Sequence, residues 1–292
     1  MKVIATNDLH VHSNKWDLLY EAAKHINPDV IAVAGDLFPK FDGIRAELRF
    51  IPSLRKRAMK FKELGCQLVL ILGNDDHQFL IKDMEHGHTE GLWHYVNESV
   101  VEIGGYEFAG LTYVTDYPFG YKFWCRKEED GNLQIDPWQI GDPIIINEQG
   151  DFEKIPDYVA YLNKLPSIWQ MLNETASKVK NIQKSIWLIH SPPSELLLDV
   201  CSDGRQVGST AVRKFIADKQ PLLTIHGHIH ESAQKTGRWH NADSRTLCLQ
   251  AGQIYNGLDY IVIDIDDTHI IAHHSVLPGE LDWNGMDLYQ DV

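Results

Sequence analysis

Five short apolar runs in the chain stop at, or within a few residues of, a side chain that can bind a metal ion. They occupy residues 3–5, 30–34, 68–72, 186–189 and 222–225. Short continuous runs rich in β-branched residues are typical of strands buried on both faces, and ligands of α/β sheets gather at the carboxyl ends of such strands. The pattern therefore predicts that the fold brings the polar side chains after these runs together at one edge.

The remaining pattern in the first third of the chain predicts alternating strands and helices. Strands are predicted at 2–6, 30–34 and 67–72, and helices at 15–26 and 43–64. Pro52 predicts a break in the second helix, because proline removes a helix hydrogen bond. The segments 100–103 and 106–109 flank Gly104 and Gly105, which is typical of a hairpin. Alternation followed by a hairpin indicates a layered α/β (α+β) fold with mixed sheets.

Residues 112–155 lose this periodicity and are rich in aromatic residues, glycine and charge. We interpret them as an inserted excursion without a core of its own, followed by a helical stretch at 156–182 that bends at Pro166. The insertion as a whole, 112–182, is expected to lie over or beside the functional site. The rest of the chain predicts a helix at 209–219 and strands at 246–250, 259–266 and 269–276, and residues 1–292 are taken as one domain.

Composition limits the partners of the protein. With 43% hydrophobic residues the 292-residue chain can bury a core, and its four scattered cysteines lack a Cys-x-x-Cys pair, so reduced structural thiols are expected. No run reaches the roughly 18 apolar residues of a membrane span, and the N-terminus lacks a secretory pattern, which predicts a cytoplasmic protein without a membrane partner. A net charge of −14 disfavours extended nucleic acid, including DNA, as a partner.

The side chains after the five runs are weak candidates one at a time. An isolated Asp-x-His or Gly-Asp pair at a strand end is usually a turn residue or a helix cap. The alternating His226, His228 and His230 are harder to explain by packing. Taken together, the strand ends supply the oxygen and nitrogen ligands that first-row divalent metals prefer. The predicted metal ligands are Asp8, His10, Asp36, Asn74, His190, His228 and His230.

The order of these sequence blocks resembles the signature of the calcineurin-like metallophosphoesterases. The blocks are Asp8-Leu9-His10, Gly35-Asp36, Gly73-Asn74-Asp75-Asp76, His190 and Gly227-His228-Ile229-His230. The resemblance implies a four-layer α/β/β/α sandwich with mixed sheets and an inserted excursion that is aromatic-rich and helical. It also implies a hydrolase of phosphate esters, most closely a phosphodiesterase, with two divalent metal ions. Mn²⁺ is favoured, and iron, zinc or nickel would suit the same ligands.

The resemblance also divides the ligands between the two ions. The sets are Asp8, His10 and His230 for one ion, and Asn74, His190 and His228 for the other. Asp36 would bridge them, since a shared carboxylate offsets the repulsion between cations held about 3.5 to 4 Å apart. The implied reaction is attack on phosphorus by a hydroxide that both metals share.

The chain departs from the family pattern at position 75, where many members have a histidine that resembles a general acid. Asp75 can assist a phosphate ester only if it is protonated or faces away, and Asp76 aligns with an acidic position expected to orient a histidine. His77 or His12 would replace the missing imidazole, unless each is a surface loop residue. Without leaving-group protonation, esters of acidic alcohols should react best. The candidate catalytic residues are Asp36, Asn74, Asp75, Asp76 and His77.

Substrate contacts are expected in the insertion, where aromatic residues alternate with glycine and basic residues. This composition suits either stacking of a base beside a phosphate or an aromatic satellite core beneath a long loop. The expected partner is a small phosphate ester or a nucleotide, and the sequence does not indicate an oligomeric state. The candidate substrate-binding residues are Tyr113, Tyr117, Arg126 and Arg205.

Two other functions would use the same residues. A phosphomonoesterase or a protein phosphatase would carry the same metals, and a comparison of monoester with diester turnover separates these from a phosphodiesterase. A scaffold that kept the fold without hydrolysis is disfavoured, because such a chain usually loses ligands whereas all seven positions are filled here.

Overall fold

The structure, a computed structural model, describes residues 1–11, 14–39, 43–147, 151–253, 257–267 and 269–284. Strands and helices alternate through much of this part of the chain. The strands are β1 Lys2–Thr6, β2 Val30–Ala34, β3 Gln67–Ile71, β4 His94–Tyr95, β5 Val100–Ile103, β6 Tyr106–Leu111, β7 Phe119–Tyr121, β8 Ile140–Ile146, β9 Phe152–Lys154, β10 Ser185–Ile189, β11 Leu223–His226, β12 His240–Asp243, β13 Thr246–Gln250, β14 Ile261–Asp266, β15 His269–His274 and β16 Glu280–Trp283. The α-helices are α1 Lys15–Ile26, α2 Gly43–Glu63, α3 Leu80–Thr89, α4 Tyr158–Lys164, α5 Ile168–Ala176, α6 Thr210–Lys219 and α7 Ser232–Thr236.

Two mixed sheets form the centre of the protein. The first has seven strands in the order β16-β15-β14-β1-β2-β3-β4, in which β1 to β4 are parallel and the others antiparallel. The second has six strands in the order β12-β13-β11-β10-β6-β5, with a parallel centre and an antiparallel strand at each edge. Both sheets agree with the predicted mixed topology.

The side chains of each central strand alternate between two apolar cores. In β1, Val3 packs between the two sheets, whereas Ile4 packs against the helices outside. In β10, Ile186 faces the inner core, and Trp187 faces outward onto Phe215 of α6, with 4.7 Å between ring centroids. Helices α1 to α3 cover the first sheet and α5 and α6 cover the second. This order of layers confirms the predicted α/β/β/α sandwich.

Parallel pairing in register makes the central strands end together. Thr6 lies opposite Val33, which lies opposite Leu70, so β1, β2 and β3 are aligned. Leu188 lies opposite Ile225 in the same way, which aligns β10 and β11. The loops that follow these strands therefore meet at one edge, where ligands of such sheets bind.

The inserted segment has a small core, contrary to the expectation that it lacks one. Strands β7, β8 and β9 form a separate three-stranded sheet beside its own apolar cluster. The cluster consists of Val114, Tyr117, Cys125, Ile155, Tyr158 and Leu162. Two of the three strands are only three residues long, too short for a periodic pattern to show in the sequence.

Two prolines act differently from the predictions. Helix α2 continues through Pro52, so the predicted break is wrong; the apolar face of this helix packs on β3. At Pro166 the chain forms two separate helices, α4 and α5, instead of one bent helix. Helix α5 begins with a capping box, in which the side chains of Ser167 and Gln170 each accept from the other's backbone N–H.

The four cysteine thiols are free, and Cys66, Cys125 and Cys248 are buried, as expected from their spacing. Burial raises the pKa of the Cys125 and Cys248 thiols to about 12, so both are protonated at neutral pH. No helix in the described ranges is both long enough and apolar enough to cross a membrane.

A buried ion pair inside the insertion leads to a prediction for stability. Lys122 Nζ donates to Asp116 Oδ1 at 2.8 Å, and neither side chain is more than 1% exposed. The substitution Lys122→Met should lower the free energy of unfolding by about 3 kcal/mol, because it leaves a buried carboxylate without its cation. Urea denaturation followed by tryptophan fluorescence measures the change.

Lys154→Met is the matched control for that experiment. Lys154 pairs with Asp142 on the same inserted sheet, but both side chains are mostly exposed. Exposed ion pairs contribute roughly 0–1 kcal/mol to stability, so the free energy of unfolding of this variant should be close to that of the wild type. An equal decrease in the free energy of unfolding of the two variants would show that burial of the Lys122 pair is not what stabilises the insertion.

Candidate metal centre

Four candidate ligand atoms from three loops converge at the edge where the parallel strands end. Asp8, His10, Asp36 and His230 each offer one atom, and all four atoms lie within 4.8 Å of one another. The Nε2 atoms of His10 and His230 are 3.1 Å apart, and His230 Nε2 lies 3.3 Å from Asp8 Oδ1. Two carboxylates and two imidazoles form a donor set that can hold a divalent metal ion.

A second group of side chains shares Asp36 with the first. Asn74 Oδ1 lies 2.9 Å from His190 Nε2 and 2.5 Å from His228 Nδ1. Asp36 Oδ2 lies 3.5 Å from His190 Nε2 and 3.9 Å from His10 Nε2, so one carboxylate oxygen reaches both groups. The fold thus places all seven predicted ligands in two adjacent groups that meet at Asp36.

Three of these residues have the left-handed backbone conformation that residues other than glycine seldom adopt. The angle φ is 52° at Asp8, 51° at Asp36 and 71° at His228. Such conformations cost about 1–3 kcal/mol each and cluster at functional sites. Bonds between loops hold them, because Asp8 N–H donates to Gly35 C=O at 3.0 Å and His228 N–H donates to Asp8 Oδ2 at 3.1 Å.

Glycine precedes three of the candidate ligands, Asp36, Asn74 and His228, and at the first two the backbone lies against the side chain of another candidate. A Cβ on Gly73 would lie 2.1 Å from Asp36 Oδ1, and a Cβ on Gly35 would lie 2.4 Å from His190 Nδ1. Any larger residue at either position would displace one of these side chains. The Gly-Asp and Gly-Asn pairs of the sequence therefore reflect close packing of the two ligand groups.

Hydrogen bonds behind the ligands fix their orientation. His190 Nδ1 lies 2.7 Å from Ala34 C=O and donates to it, which leaves Nε2 facing Asn74 as the nitrogen that would bind a metal ion. Asp36 Oδ1 accepts from Asp75 N–H at 2.8 Å, while its Oδ2 faces the two groups of histidines. These hydrogen bonds thus fix the orientation of the ring and of the carboxylate.

The charges of the site partly compensate one another. Burial opposes ionisation of Asp36, but the facing His190 and His10 hold its pKa well below the usual range. Burial likewise opposes protonation of His190, yet Asp36 outweighs it and raises the pKa of His190 to about 9. For His228 burial prevails and lowers the pKa to about 3. A metal cation binds ionised carboxylates and neutral imidazoles, so an ion bound here would replace the additional proton of His190.

The facing nitrogens of the first group support the fit to a metal. His10 Nε2, the ring nitrogen on the side of Asp36, lies 3.1 Å from His230 Nε2. Two imidazole nitrogens that face each other this closely repel unless a proton or a cation lies between them. With carboxylate, amide and imidazole donors around it, the site fits a borderline divalent ion.

Asp76 supports the loop that carries Asp36, which corrects the expectation that it orients a histidine. Its carboxylate accepts from the backbone N–H groups of Leu37, Phe38 and Gly73 at 2.9–3.0 Å. No histidine of the described ranges forms a hydrogen bond with it. Because these donors lie on two loops, Asp76 fastens the loop after β2 to the loop after β3.

A cavity of about 430 Å³ opens beside the ligand groups. Asp36, Asn74, His228 and His230 form part of its lining, and the insertion and the loop before α6 form the rest. Asp75 also lines it, with Oδ2 3.4 Å from His10 Nδ1. A space of this size suits a small organic ester.

His77 lies apart from this cavity. Its Nδ1 is 2.7 Å from the buried carboxylate of Glu47, and its ring packs on Tyr121 with centroids 5.2 Å apart. His77 therefore braces α2 against the loop after β3. His12, the other candidate imidazole, lies outside the described residues.

The four candidate substrate contacts lie in different places. Tyr117 and Arg205 line the cavity. Tyr113 and Arg126 are buried away from it, with the guanidinium 4.1 Å from the centroid of the Tyr113 ring. Tyr113 and Arg126 therefore belong to packed aromatic structure, which was the alternative interpretation of the aromatic residues in the insertion.

Sequence reasoning missed several acidic residues of the cavity. They are Asp116, Asp136, Asp203 and Glu231. None of them ends an apolar run, so the signal that indicated the ligands does not reach them. Glu231 directly follows a ligand block in the sequence, which is the only indication that the sequence offers.

His226 is a packed histidine rather than a ligand, although it alternates with two ligands. Its Nδ1 lies 3.0 Å from Ile189 C=O and its Nε2 lies 2.8 Å from Thr224 Oγ1. Burial lowers its pKa to about 4, so the ring is neutral. Packing therefore explains one of the three alternating imidazoles.

Comparisons with known proteins identify the family. The sequence profile of the calcineurin-like phosphoesterases matches residues 1–232. A search of curated proteins found no significant match to the chain.

Solved structures align with nearly the whole chain at low identity. The protein TT1561 of Thermus thermophilus superposes with a TM-score of 0.58 and 16% identity, over 93% of this chain and 97% of that chain. A dimetal phosphatase from Danio rerio superposes with a TM-score of 0.54 and 10% identity, over 97% of this chain and 98% of that chain. These likenesses show the fold. The profile match over most of its length shows that the chain belongs to the calcineurin-like phosphoesterase family.

Proposed function

We propose that the protein is a metal-dependent phosphodiesterase whose centre holds two divalent ions. The position of Asp36 carries the proposal, because its Oδ2 lies within 3.9 Å of a histidine from each ligand group. A carboxylate shared between two groups offsets the repulsion between cations about 3.5 to 4 Å apart. Family membership supports hydrolysis of a phosphate ester.

The proposed ligands follow the two groups. One ion takes Asp8, His10 and His230, the other takes Asn74, His190 and His228, and Asp36 is common to both. Mn²⁺ is the favoured ion, and iron, zinc or nickel would suit the same donors. When bound, the ions polarise the phosphoryl group and lower the pKa of water.

The residues of the chain position the reacting groups. Asn74 Nδ2 donates to Asp75 Oδ1 at 3.2 Å, which turns its Oδ1 towards His190 and His228. Asp76 fixes the loops that carry Asn74 and the bridging carboxylate. We propose that this framework holds the ester in line for attack, so that little reorganisation is needed during the reaction.

A preference for diesters follows from the carboxylate at position 75. Asp75 lines the cavity next to the ligand groups. A carboxylate there repels a dianionic monoester more strongly than a monoanionic diester. The same position lacks the imidazole that would protonate a poor leaving group, so acidic alcohols should leave best.

The metal-loaded protein is expected to hydrolyse bis(p-nitrophenyl) phosphate with a kcat/KM at least about tenfold above that for p-nitrophenyl phosphate. Both esters release nitrophenolate, so one colour assay measures both. Protein treated with a chelator should be inactive and should regain activity with Mn²⁺. A reversed preference would favour a phosphomonoesterase or protein phosphatase, and a loaded protein inert towards every aryl diester would refute the proposal.

Asn74→Ala should remove one ligand of the second ion. We expect the bound manganese to fall from two ions to about one per chain, and kcat to fall at least about a hundredfold. Metal analysis after dialysis and the diester assay give the two readouts.

Asn163→Ala, an exposed position on α4, is the matched control and should keep both metal and activity. Retention of two ions by Asn74→Ala would show that Asn74 is not a ligand.

A further inference from the structure

An exposed apolar lip borders the cavity on the inserted sheet. The lip consists of Phe119, Trp138 and Ile140, which are 54%, 64% and 64% exposed. Phe119 lines the cavity, and Ile140 pairs with it between β7 and β8. Trp138 lies between Ile140 and Asp136, and Asp136 also lines the cavity. Large apolar side chains held in water beside a cavity are typical of a binding surface.

Hydrogen bonds hold this lip in place. Asp116 Oδ2 accepts from Asp136 N–H at 2.9 Å and from Gln139 Nε2 at 2.8 Å. Trp138 N–H donates to Asp136 Oδ1 at 2.7 Å. These bonds fasten the segment that carries Trp138 to the segment that carries Phe119. A fixed backbone therefore presents the apolar side chains to solvent, which lowers the entropy cost of binding a ligand.

Another part of the outer lining is acidic. Asp136, Asp203 and Glu231 line the cavity, and Arg205 is the only lysine or arginine among the described residues that do so. Arg205 Nε donates to Asp203 Oδ2 at 2.7 Å, and its Nη1 lies 3.7 Å from Asp136 Oδ2. Glu231 Oε1 accepts from Ser202 N–H at 2.7 Å. This part of the lining thus has three carboxylates and one guanidinium, and two of the carboxylates already engage the guanidinium.

We infer that this rim selects the group esterified to the phosphate. It takes a flat, uncharged group such as a nucleoside and rejects a group that carries a further phosphate. The inference rests on the proposed phosphodiesterase activity and names its substrate class, which is monoanionic diesters of a nucleoside.

The two parts of the rim act on different features of that group. The lip offers aromatic faces on which a base stacks, and the carboxylates accept hydrogen bonds from sugar hydroxyls or base amino groups. A further phosphate would meet the three carboxylates, and the nearby guanidinium is already paired. Stacking therefore favours the nucleoside, and charge excludes the phosphorylated form.

Three esters with the same nitrophenolate leaving group test the inference. They are methyl p-nitrophenyl phosphate, the p-nitrophenyl ester of thymidylate, and that thymidylate ester with a second phosphate on its free sugar hydroxyl. The wild type should prefer the thymidylate ester about tenfold over each of the other two. If all three are inert, the phosphodiesterase proposal fails. Similar turnover of all three refutes only the inference about the rim.

Variants of the lip separate stacking from general damage. Phe119→Ala and Trp138→Ala should lower the preference for the thymidylate ester over the methyl ester about tenfold, through a higher KM. Phe152→Ala is the matched control. Phe152 is 65% exposed on the same inserted sheet, but it lies on β9, whereas Phe119 lines the cavity and Trp138 lies two residues from Asp136, which also lines it. It should keep the wild-type preference. An unchanged preference in both lip variants would overturn the stacking role.

A variant of the acidic part tests the exclusion of a further phosphate. Asp203→Asn releases Arg205 and should raise the turnover of the phosphorylated thymidylate ester, relative to the parent ester, about tenfold. Asp218→Asn, exposed on α6 and outside the cavity, should leave this ratio unchanged. If Asp203→Asn also leaves the ratio of turnover of the phosphorylated ester to that of the parent ester unchanged, the rim does not select by charge.

Discussion

The buried carboxylate of Asp36 is the group on which the rest of the site depends. It is 1% exposed, and the facing His190 and His10 keep it ionised where burial alone would not. A buried charge is stable only when compensating groups approach it closely. Gly73 makes that approach possible because it has no Cβ at a point 2.1 Å from Asp36 Oδ1, and Asp75 N–H donates to the same oxygen. The need to compensate one anion from two sides therefore explains why the strand-end loops pack so closely.

The sheets provide the rigidity that this packing requires. Left-handed backbone at Asp8, Asp36 and His228 costs about 1–3 kcal/mol per residue and persists only where the surrounding structure determines it. Aligned parallel strands with apolar cores on both faces fix where each loop begins. Asp76 then fastens two of the loops through three backbone amides. Strain at the candidate ligands is thus balanced by packing and hydrogen bonds that lie outside the candidate metal centre.

The same physics explains which features the sequence could predict. The strands before Asp8 and Asp36 are continuous apolar runs, so a local pattern marks both the strand and the polar residue after it. His226 and His228 have the same local pattern, yet His226 ends β11 and bonds to Ile189 C=O, whereas His228 lies beyond the strand with a φ of 71°. Only the geometry of the loop separates a packed histidine from a candidate ligand. The family profile match agrees with the resemblance found in the sequence blocks, but the lining of the cavity depends on contacts distant in sequence.

Asp116 shows how the stability of the insertion is coupled to the shape of the cavity. Its buried carboxylate accepts from Lys122 Nζ, from Tyr158 Oη at 2.6 Å, and from the segment that positions Trp138. One anion therefore supports both the small core of the insertion and the part of the cavity wall that contains Asp136. Because a buried carboxylate that loses a donor destabilises its surroundings, changes around Asp116 alter folding and binding together. Trp138 is mostly exposed, so its side chain can change with little effect on folding. The side chains of the lip can thus change while the buried network keeps the insertion in place.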